Sequence, residues 1–600
     1  MRLILCVMAL AMLVIPVCGQ ETAEEWVEEG IALGKEGNYT EAIQAFDEAI
    51  RLDPEYALAW NNKGRALGSQ GKYSDAIEAF DEAIRLDPED ADAWYGKGLA
   101  LDYQANYIDA IQAYDEAIRL DPEYALAWNN KGWALYNQGN YTEAIQCYDE
   151  AIRLDPEYAL AWNNKGWALY NQGNYTEAIQ CYDEAIRLDP EYALAWNNKG
   201  VALVDLGNYT EAIQCYDEAI RLDPEFAWPW NNKGWALYNQ GNYTEAIQCY
   251  DEAIRLDPEY ALAWNNKGVA LVDLGNYTEA IQCYDEAIRL DPDFAGAWYN
   301  KGNALAYQGK YNQAIQAYDE AIRLDPEIVG AWYGQGRSLY YMGNCTEAIQ
   351  ACDEAIRLDP EYADAWTIKG LAIEMQGNYA GAIQAYNEAI RIDPKNKAAW
   401  YNKGNALGMQ GNYTGAIQAY EEAIRIDPED VASWSNKGTA LMNMSKYDEA
   451  IQAYDEAIRL NPDLAINWYN KGVALGSLSR DDEAIQAYEE AIRLDPENAG
   501  AWNNKGIILG QKGEYGEAIQ AFDEAIRLDP NLATAWYGKG IALYYQGNYT
   551  EAIQACDEAI RLDPEFAPAW YGKCIALEAL GRTSEANAAY AKALELGLMT

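Results

Sequence analysis

The sequence predicts an all-α solenoid of stacked helix pairs, and three observations carry that reading. Trp falls at positions 26, 60, 94 and 128 and every 34 residues thereafter to Trp570. Pro keeps the same period from Pro54 to Pro564. Residues Ala159 to Tyr192 repeat Ala125 to Tyr158 without a single change. A fixed period of this length describes stacked supersecondary units rather than one globular core. Counting from Ala23 gives seventeen units ending at Thr600, with no linker or composition shift at which to divide them, so 23–600 reads as one array.

Ahead of the array, Met1 and Arg2 precede an apolar run from Leu3 to Val17, followed by Cys18, Gly19 and Gln20. The run is shorter than the roughly 20 residues a membrane-spanning helix needs. Residues 1–19 read as a secretory signal; a lipid anchor on Cys18 and a retained membrane anchor are the other readings. The chain is therefore expected outside the cytoplasm, secreted or on the cell surface, meeting a membrane only through that leader.

Within the unit that starts at Ala125, the stretch to Gln138 carries Trp128, Ala134 and Leu135 at helical spacing, and Gly139 supplies a left-handed stop. This is helix A. Asn140 and Tyr141 form the turn, Thr142 is the expected N-cap, and Glu143 sits in the first turn, where a negative charge suits the helix dipole. Helix B then runs to about Leu154, with Ala144, Ile145, Tyr148, Ala151 and Ile152 on its apolar face and Asp149 four residues before Arg153 as an expected ion pair. Asp155-Pro156 ends it, because Pro cannot continue the ladder.

Trp128, Gly132, Gly139, Tyr141, Ala144, Tyr148, Ala151 and Pro156 fall where the tetratricopeptide repeat (TPR) family places its large aromatic residue, its small helix-contact residues and its final Pro. From Ala23 onward the chain resembles a long TPR array. The resemblance implies a right-handed superhelix of antiparallel helix pairs, with helix A lining the concave side and Trp128 and its equivalents in the core. One departure is systematic: Lys131 stands where the family usually has Leu. Its stem is expected to cover apolar surface while the ammonium reaches water or a neighbouring carboxylate.

The units differ where ends and turns are concerned. Ala105, Ser445 and Ser479 replace the stop glycine. In the last unit, 567–600, Asn587 replaces a helix B Ile and the Asp-Pro ending is lost, as a degenerate terminal cap requires. Units from Ala125 to Phe294 are near copies, which argues against a unique catalytic residue there. Cys147, Cys181, Cys215, Cys249 and Cys283 hold one repeat position, spaced too far apart for disulfides and suited to packing; only Cys556 with Cys574 could meet.

The net charge is −51, spread at −3 per unit by Glu143, Asp149, Glu150, Asp155 and Glu157 against Lys131 and Arg153. Such a chain repels phosphate backbones, so no nucleic acid partner is expected. It contains no histidine, which removes Ser-His and Cys-His catalysis and His-based metal sites, and it has no Walker-type loop, Cys-x-x-Cys or EF-hand spacing. Neither an enzyme nor a cofactor is expected.

Mapped from the family, the groove positions of the unit Ala125 to Tyr158 are Leu126, Asn129, Asn130, Trp133, Tyr136 and Asn137. Asn recurs in pairs as Asn61-Asn62, Asn129-Asn130, Asn163-Asn164, Asn197-Asn198, Asn231-Asn232 and Asn265-Asn266. A ladder of amides can pair with the backbone of an extended peptide without reading its side chains. It resembles the asparagine-lined TPR groove of O-linked N-acetylglucosamine transferases, which holds peptide backbone; the plainer reading is a polar lining of a solvated groove. The carboxylate clamp of chaperone-binding TPR domains is not matched, since its basic positions are mostly Asn, Tyr or Gly here. Trp133, Trp167 and Trp235 with Tyr136, Tyr170 and Tyr238 complete the candidate peptide site, and flat rings beside amides also suit sugars. The expected function is a non-enzymatic scaffold for other proteins or peptides, with surface glycan binding or a structural spacer as the alternative. Ten Asn-x-Ser/Thr sequons, among them Asn38, Asn140, Asn174 and Asn548, lie mostly in the A–B turns.

Overall fold

The computed structural model describes residues 22–598, which form thirty-four α-helices and no strand. The leader expected at 1–19 lies outside the described residues. The helices fall into two compact units, one ending at Pro292 and the other beginning at Asp293. Each unit is a row of antiparallel pairs, a helix A of 13 residues followed by a helix B of 14, as in Ala125–Asn137 and Tyr141–Leu154. Within each unit successive A helices touch one another, whereas successive B helices do not among the described residues. The A row is thus the inner side of each unit's curve.

Small residues set the closeness of the pairs. Ala127, Ala134, Ala144 and Ala151 are fully buried, and so is the ring of Tyr148. That ring lies over Gly132, where a Cβ would come within 2.7 Å of Tyr148 Cε1, so a large side chain at the helix B position requires glycine at the helix A position. The A–B turn closes as sequence predicted. Gly139 has φ +81°, its N–H donates to Tyr136 O, and Asn140 N–H donates to Leu135 O at 2.9 Å, which satisfies the last carbonyls of helix A. Ala105, Ser445 and Ser479 hold the same left-handed conformation, at φ 57°, 56° and 57°. After helix B, Asp155 Oδ1 accepts from Glu157 N–H at 3.1 Å, tightening the Asp-Pro turn.

Four expectations change in detail. Thr142 does not cap helix B, which starts at Tyr141 with no side-chain cap bond; its hydroxyl accepts from Gln172 Nε2 of the next repeat at 3.0 Å. Arg153 pairs with Glu150 at 2.6 Å rather than with Asp149, because Asp149 is taken by Lys165 of the next repeat at 2.6 Å. Trp128 is half-buried, not enclosed: its indole N–H donates to Pro122 O at 3.3 Å and Lys131 Nζ sits 5.4 Å from its ring. Cys556 and Cys574 are both free thiols.

Lys131 therefore serves the stack twice, packing on its own Trp and reaching Asp115 of the preceding repeat at 2.6 Å. The arrangement recurs along the chain, with Gln335 to Asp319 replacing it once. Lys403 departs from it, because Asn387 stands where the preceding repeat would supply the acid; burial then lowers the Lys403 pKa with no counter-charge to offset it.

Candidate binding groove

The inner face of each unit is built by one stripe of every helix A. In the first unit the asparagine pairs occupy its floor, and they bond to one another. Asn265 Nδ2 donates to Asn266 Oδ1 (3.2 Å), Asn266 to Asn231 (3.1 Å), Asn231 to Asn232 (3.2 Å) and Asn232 to Asn197 (3.0 Å). The chain continues through Asn198, Asn163, Asn164, Asn129 and Asn130 to the hydroxyl of Tyr95. Every step donates in the same direction, so the amide dipoles align and polarise one another along the row. The first member of each pair is buried, as Asn129 and Asn163 are; Asn198 and Asn266 are buried too, while Asn130, Asn164 and Asn232 are half-buried. Asn61 and Asn62 stand apart, bonded to Asp90 and to Leu58 O, because Tyr95-Gly96 interrupts the pairing in the next repeat.

These amides first of all fix the register between repeats. An amide nitrogen has two N–H groups and its oxygen two lone pairs, so the half-buried members keep one of each for a ligand.

Around this floor stand exposed apolar residues that the core does not require: Leu126, Leu160, Trp133, Trp228 and Trp235. Trp133 stacks on Tyr136 (5.6 Å, 18°), Trp167 on Tyr170 (5.1 Å, 10°) and Trp235 on Tyr238 (5.4 Å, 16°). Tyr170 and Tyr238 donate to Asp205 and Asp273 of the following repeat. The predicted aromatic residues are thus brought together with the asparagines on one face.

Two recesses in the inner face are copies of one another. In the first unit a pocket of about 580 Å³ has Gly68 and Gly96 in its floor and Tyr73 stacked on Tyr103 (5.0 Å, 6°) as its wall. In the second unit a pocket of about 610 Å³ has Gly510, Gly538 and Tyr515 on Tyr545 (5.1 Å, 10°) in the same places. Each residue of the second has its counterpart at the same repeat position in the first, from Gly64 and Gly506 to Tyr124 and Phe566. A Cβ on Gly96 or Gly538 would collide with the Phe80 or Phe522 ring, but on Gly68 or Gly510 it would meet nothing within 4 Å. At the latter two positions glycine leaves room where other repeats place tyrosine. The rims differ, Arg65 and Asp92 in the first against Ile507 and Thr534 in the second.

A third recess, of about 870 Å³, lies between helices Ala363–Met375 and Lys397–Met409 and their neighbours, with Glu374, Met375, Met409, Asn402 and Asn405 in its lining. Glu374, Met375, Met409 and Asn405 were not singled out from sequence as ligand contacts. The signal was present: Glu374 and Gly408 replace the groove tyrosine of two consecutive repeats. Among the described residues no group of three or more His, Cys, Asp or Glu side chains is placed to hold a metal ion.

Comparison with known proteins agrees with this geometry. A tetratricopeptide repeat family model matches residues 27–90, 62–102, 95–159, 163–225, 231–295, 270–327, 299–340, 333–397, 435–499, 477–533, 503–565 and 537–597, and a second model of the same description matches 398–430. The chain belongs to the tetratricopeptide repeat family. None of the curated proteins compared with it matches this TPR sequence. Among solved structures, the APC/C hetero-tetramer Cut9-Hcn1 is 17% identical, with a TM-score of 0.40, covering 83% of this chain and 98% of that one. YrrB, a TPR protein with an unusual peptide-binding site, is 25% identical with a TM-score of 0.29, covering 32% of this TPR chain and 98% of its own.

Proposed function

We propose that this TPR protein is a non-enzymatic scaffold that binds an extended segment of another protein along the inner face of its A helices. The observation that carries the reading is the exposure of Leu126, Leu160, Trp133, Trp228 and Trp235 beside half-buried amides, on a face where the core needs none of them. An extended chain offers a backbone N–H and C=O at each residue to meet the free amide valences, and side chains to cover the apolar residues. Each amide bond contributes about 0.5–1.5 kcal/mol net, so affinity comes from several repeats acting together. The likeness to the asparagine-lined groove of O-linked N-acetylglucosamine transferases belongs to this proposal, with the half-buried Asn130, Asn164 and Asn232 as its ligand-facing members. Export of the chain, on the apolar run from Leu3 to Val17, is a further part of it, tested by sequencing the N-terminus of the mature protein.

A second reading, surface glycan binding, is favoured by the near-coplanar Trp–Tyr stacks, whose flat faces suit sugar rings. Binding of the chain to one array of unstructured peptides and glycans at two salt concentrations separates the two. Peptide binding that survives added salt and falls on replacing Leu126 and Leu160 by Ser is the expected result. Glycan binding alone, lost with Trp133, Trp167 and Trp235, refutes the scaffold in favour of a lectin-like role.

A further inference from the structure

The recess around Glu374 combines a carboxylate that has no cation with open space left by the next repeat. Glu374 Oε2 accepts the hydroxyl proton of Tyr386 at 2.7 Å, and no lysine or arginine pairs with it among the described residues. The phenol fixes the carboxylate's orientation and leaves Oε1 to the recess. Next to it Gly408 has no side chain where most repeats place a larger residue, and its missing Cβ would meet nothing within 4 Å. One substitution supplies the charge and the next supplies the space.

The other walls match a cation with an apolar stem. Met375 and Met409 are among the most exposed apolar residues of the protein, at 58% and 66%, and their unbranched thioethers adapt to a flexible chain. Tyr340, Tyr379 and Tyr413 line the same space and present rings that attract a positive charge. Asn405 Oδ1 already accepts from Tyr420 (2.8 Å) and Asn436 (3.0 Å), which directs its own N–H groups to a neighbouring acceptor such as ligand backbone. With a net charge of −51, the chain also draws basic partners from a distance.

The geometry points to a specificity pocket for a lysine or arginine side chain of the bound segment, its ammonium or guanidinium on Glu374 and its methylenes along Met375 and Met409. The inference rests on the scaffold reading for the peptide that carries the side chain, but the pocket itself is testable without a peptide. Burial holds the Glu374 carboxyl above its usual range, as expected of an acid that waits for a counter-charge.

The test uses the full chain with two variants, Glu374→Gln, which preserves an acceptor for Tyr386, and Gly408→Tyr, which refills the space. Probes are extended peptides with a single central Arg, Lys, citrulline or norleucine, and free agmatine followed by saturation-transfer NMR. Arg and Lys peptides should bind about tenfold tighter than their neutral counterparts, a single charge-assisted contact's worth. Glu374→Gln should erase that ratio and the agmatine signal, and Gly408→Tyr should do the same without loss of helicity. Equal binding of Arg and citrulline peptides, or a ratio untouched in Glu374→Gln, overturns the pocket and leaves the scaffold standing. If no peptide binds, the scaffold reading fails, and agmatine then decides the pocket alone: signal lost in Glu374→Gln supports it, and no saturable signal in the wild type overturns it.

Discussion

Single tyrosines in this stack are held in two different ways, although they occupy one repeat position. Tyr148 and Tyr182 are completely buried with no partner for their hydroxyls, whereas Tyr420 donates to Asn405 and Tyr386 to Glu374. A buried hydroxyl without a partner destabilises, and a bonded one contributes about 0.5–1.5 kcal/mol. Tyr148→Phe is therefore expected to be neutral or stabilising in urea denaturation, and Tyr420→Phe to cost about 0.5–1.5 kcal/mol. The chain already uses Phe46, Phe80 and Phe522 at this position. Asp102 makes the opposite case. Its Oδ1 is buried without a partner, and desolvation pushes its pKa up to about 6 from 3.8. A raised folded-state value means the native protein binds this proton more tightly than the unfolded chain. The contribution is fully present below the unfolded value and is lost as pH rises through about 6. Relative to Asp102→Asn, the wild type should gain stability as pH falls from 7 to 4; a difference between the two urea midpoints that does not change over this range contradicts it.

At the level of helices and turns, three A–B turns lack the glycine that their geometry calls for. Ala105, Ser445 and Ser479 sit at positive φ, where a side chain costs about 1–2 kcal/mol. Restoring glycine at Ser445 and Ser479 should raise the thermal midpoint, and hydrogen exchange at those turns should slow. The elements themselves were legible in sequence because Trp, Gly and Asp-Pro recur at fixed offsets, and a helix, a left-handed stop and a break each follow from local chemistry. What was not legible was which partner each side chain takes. Asp149 has an arginine four residues on, and only the stack shows that Lys165 claims it first. Thr142 looks like a cap and serves Gln172 instead. The asparagine pairs lie on the inner face where they were placed, but their bonding to one another depends on the distance between adjacent A helices, which no local pattern encodes.

For the molecule as a whole, identical units mean interchangeable joints. Ala159 to Tyr192 duplicates the unit before it, so deleting those residues leaves every remaining neighbour as it was: Tyr158 meets Ala193 as Tyr192 did, and Asn198 finds Asn129 in place of Asn163. The shortened chain is expected to keep its helicity per residue and a nearly unchanged thermal midpoint by circular dichroism. Loss of cooperative unfolding would show that copies differ in ways their sequences do not.

The amide row of the first unit also bears on how that unit would behave under tension. Four links cross successive joints there, Asn164 to Asn129, Asn198 to Asn163, Asn232 to Asn197 and Asn266 to Asn231, with lengths from 3.0 to 3.1 Å. A pull along the row loads them in series, and joints so alike have no preset order of rupture. In an optical trap this segment should lengthen at one nearly constant force, in the manner of a spring with equal coils, instead of giving way in a ladder of separate peaks.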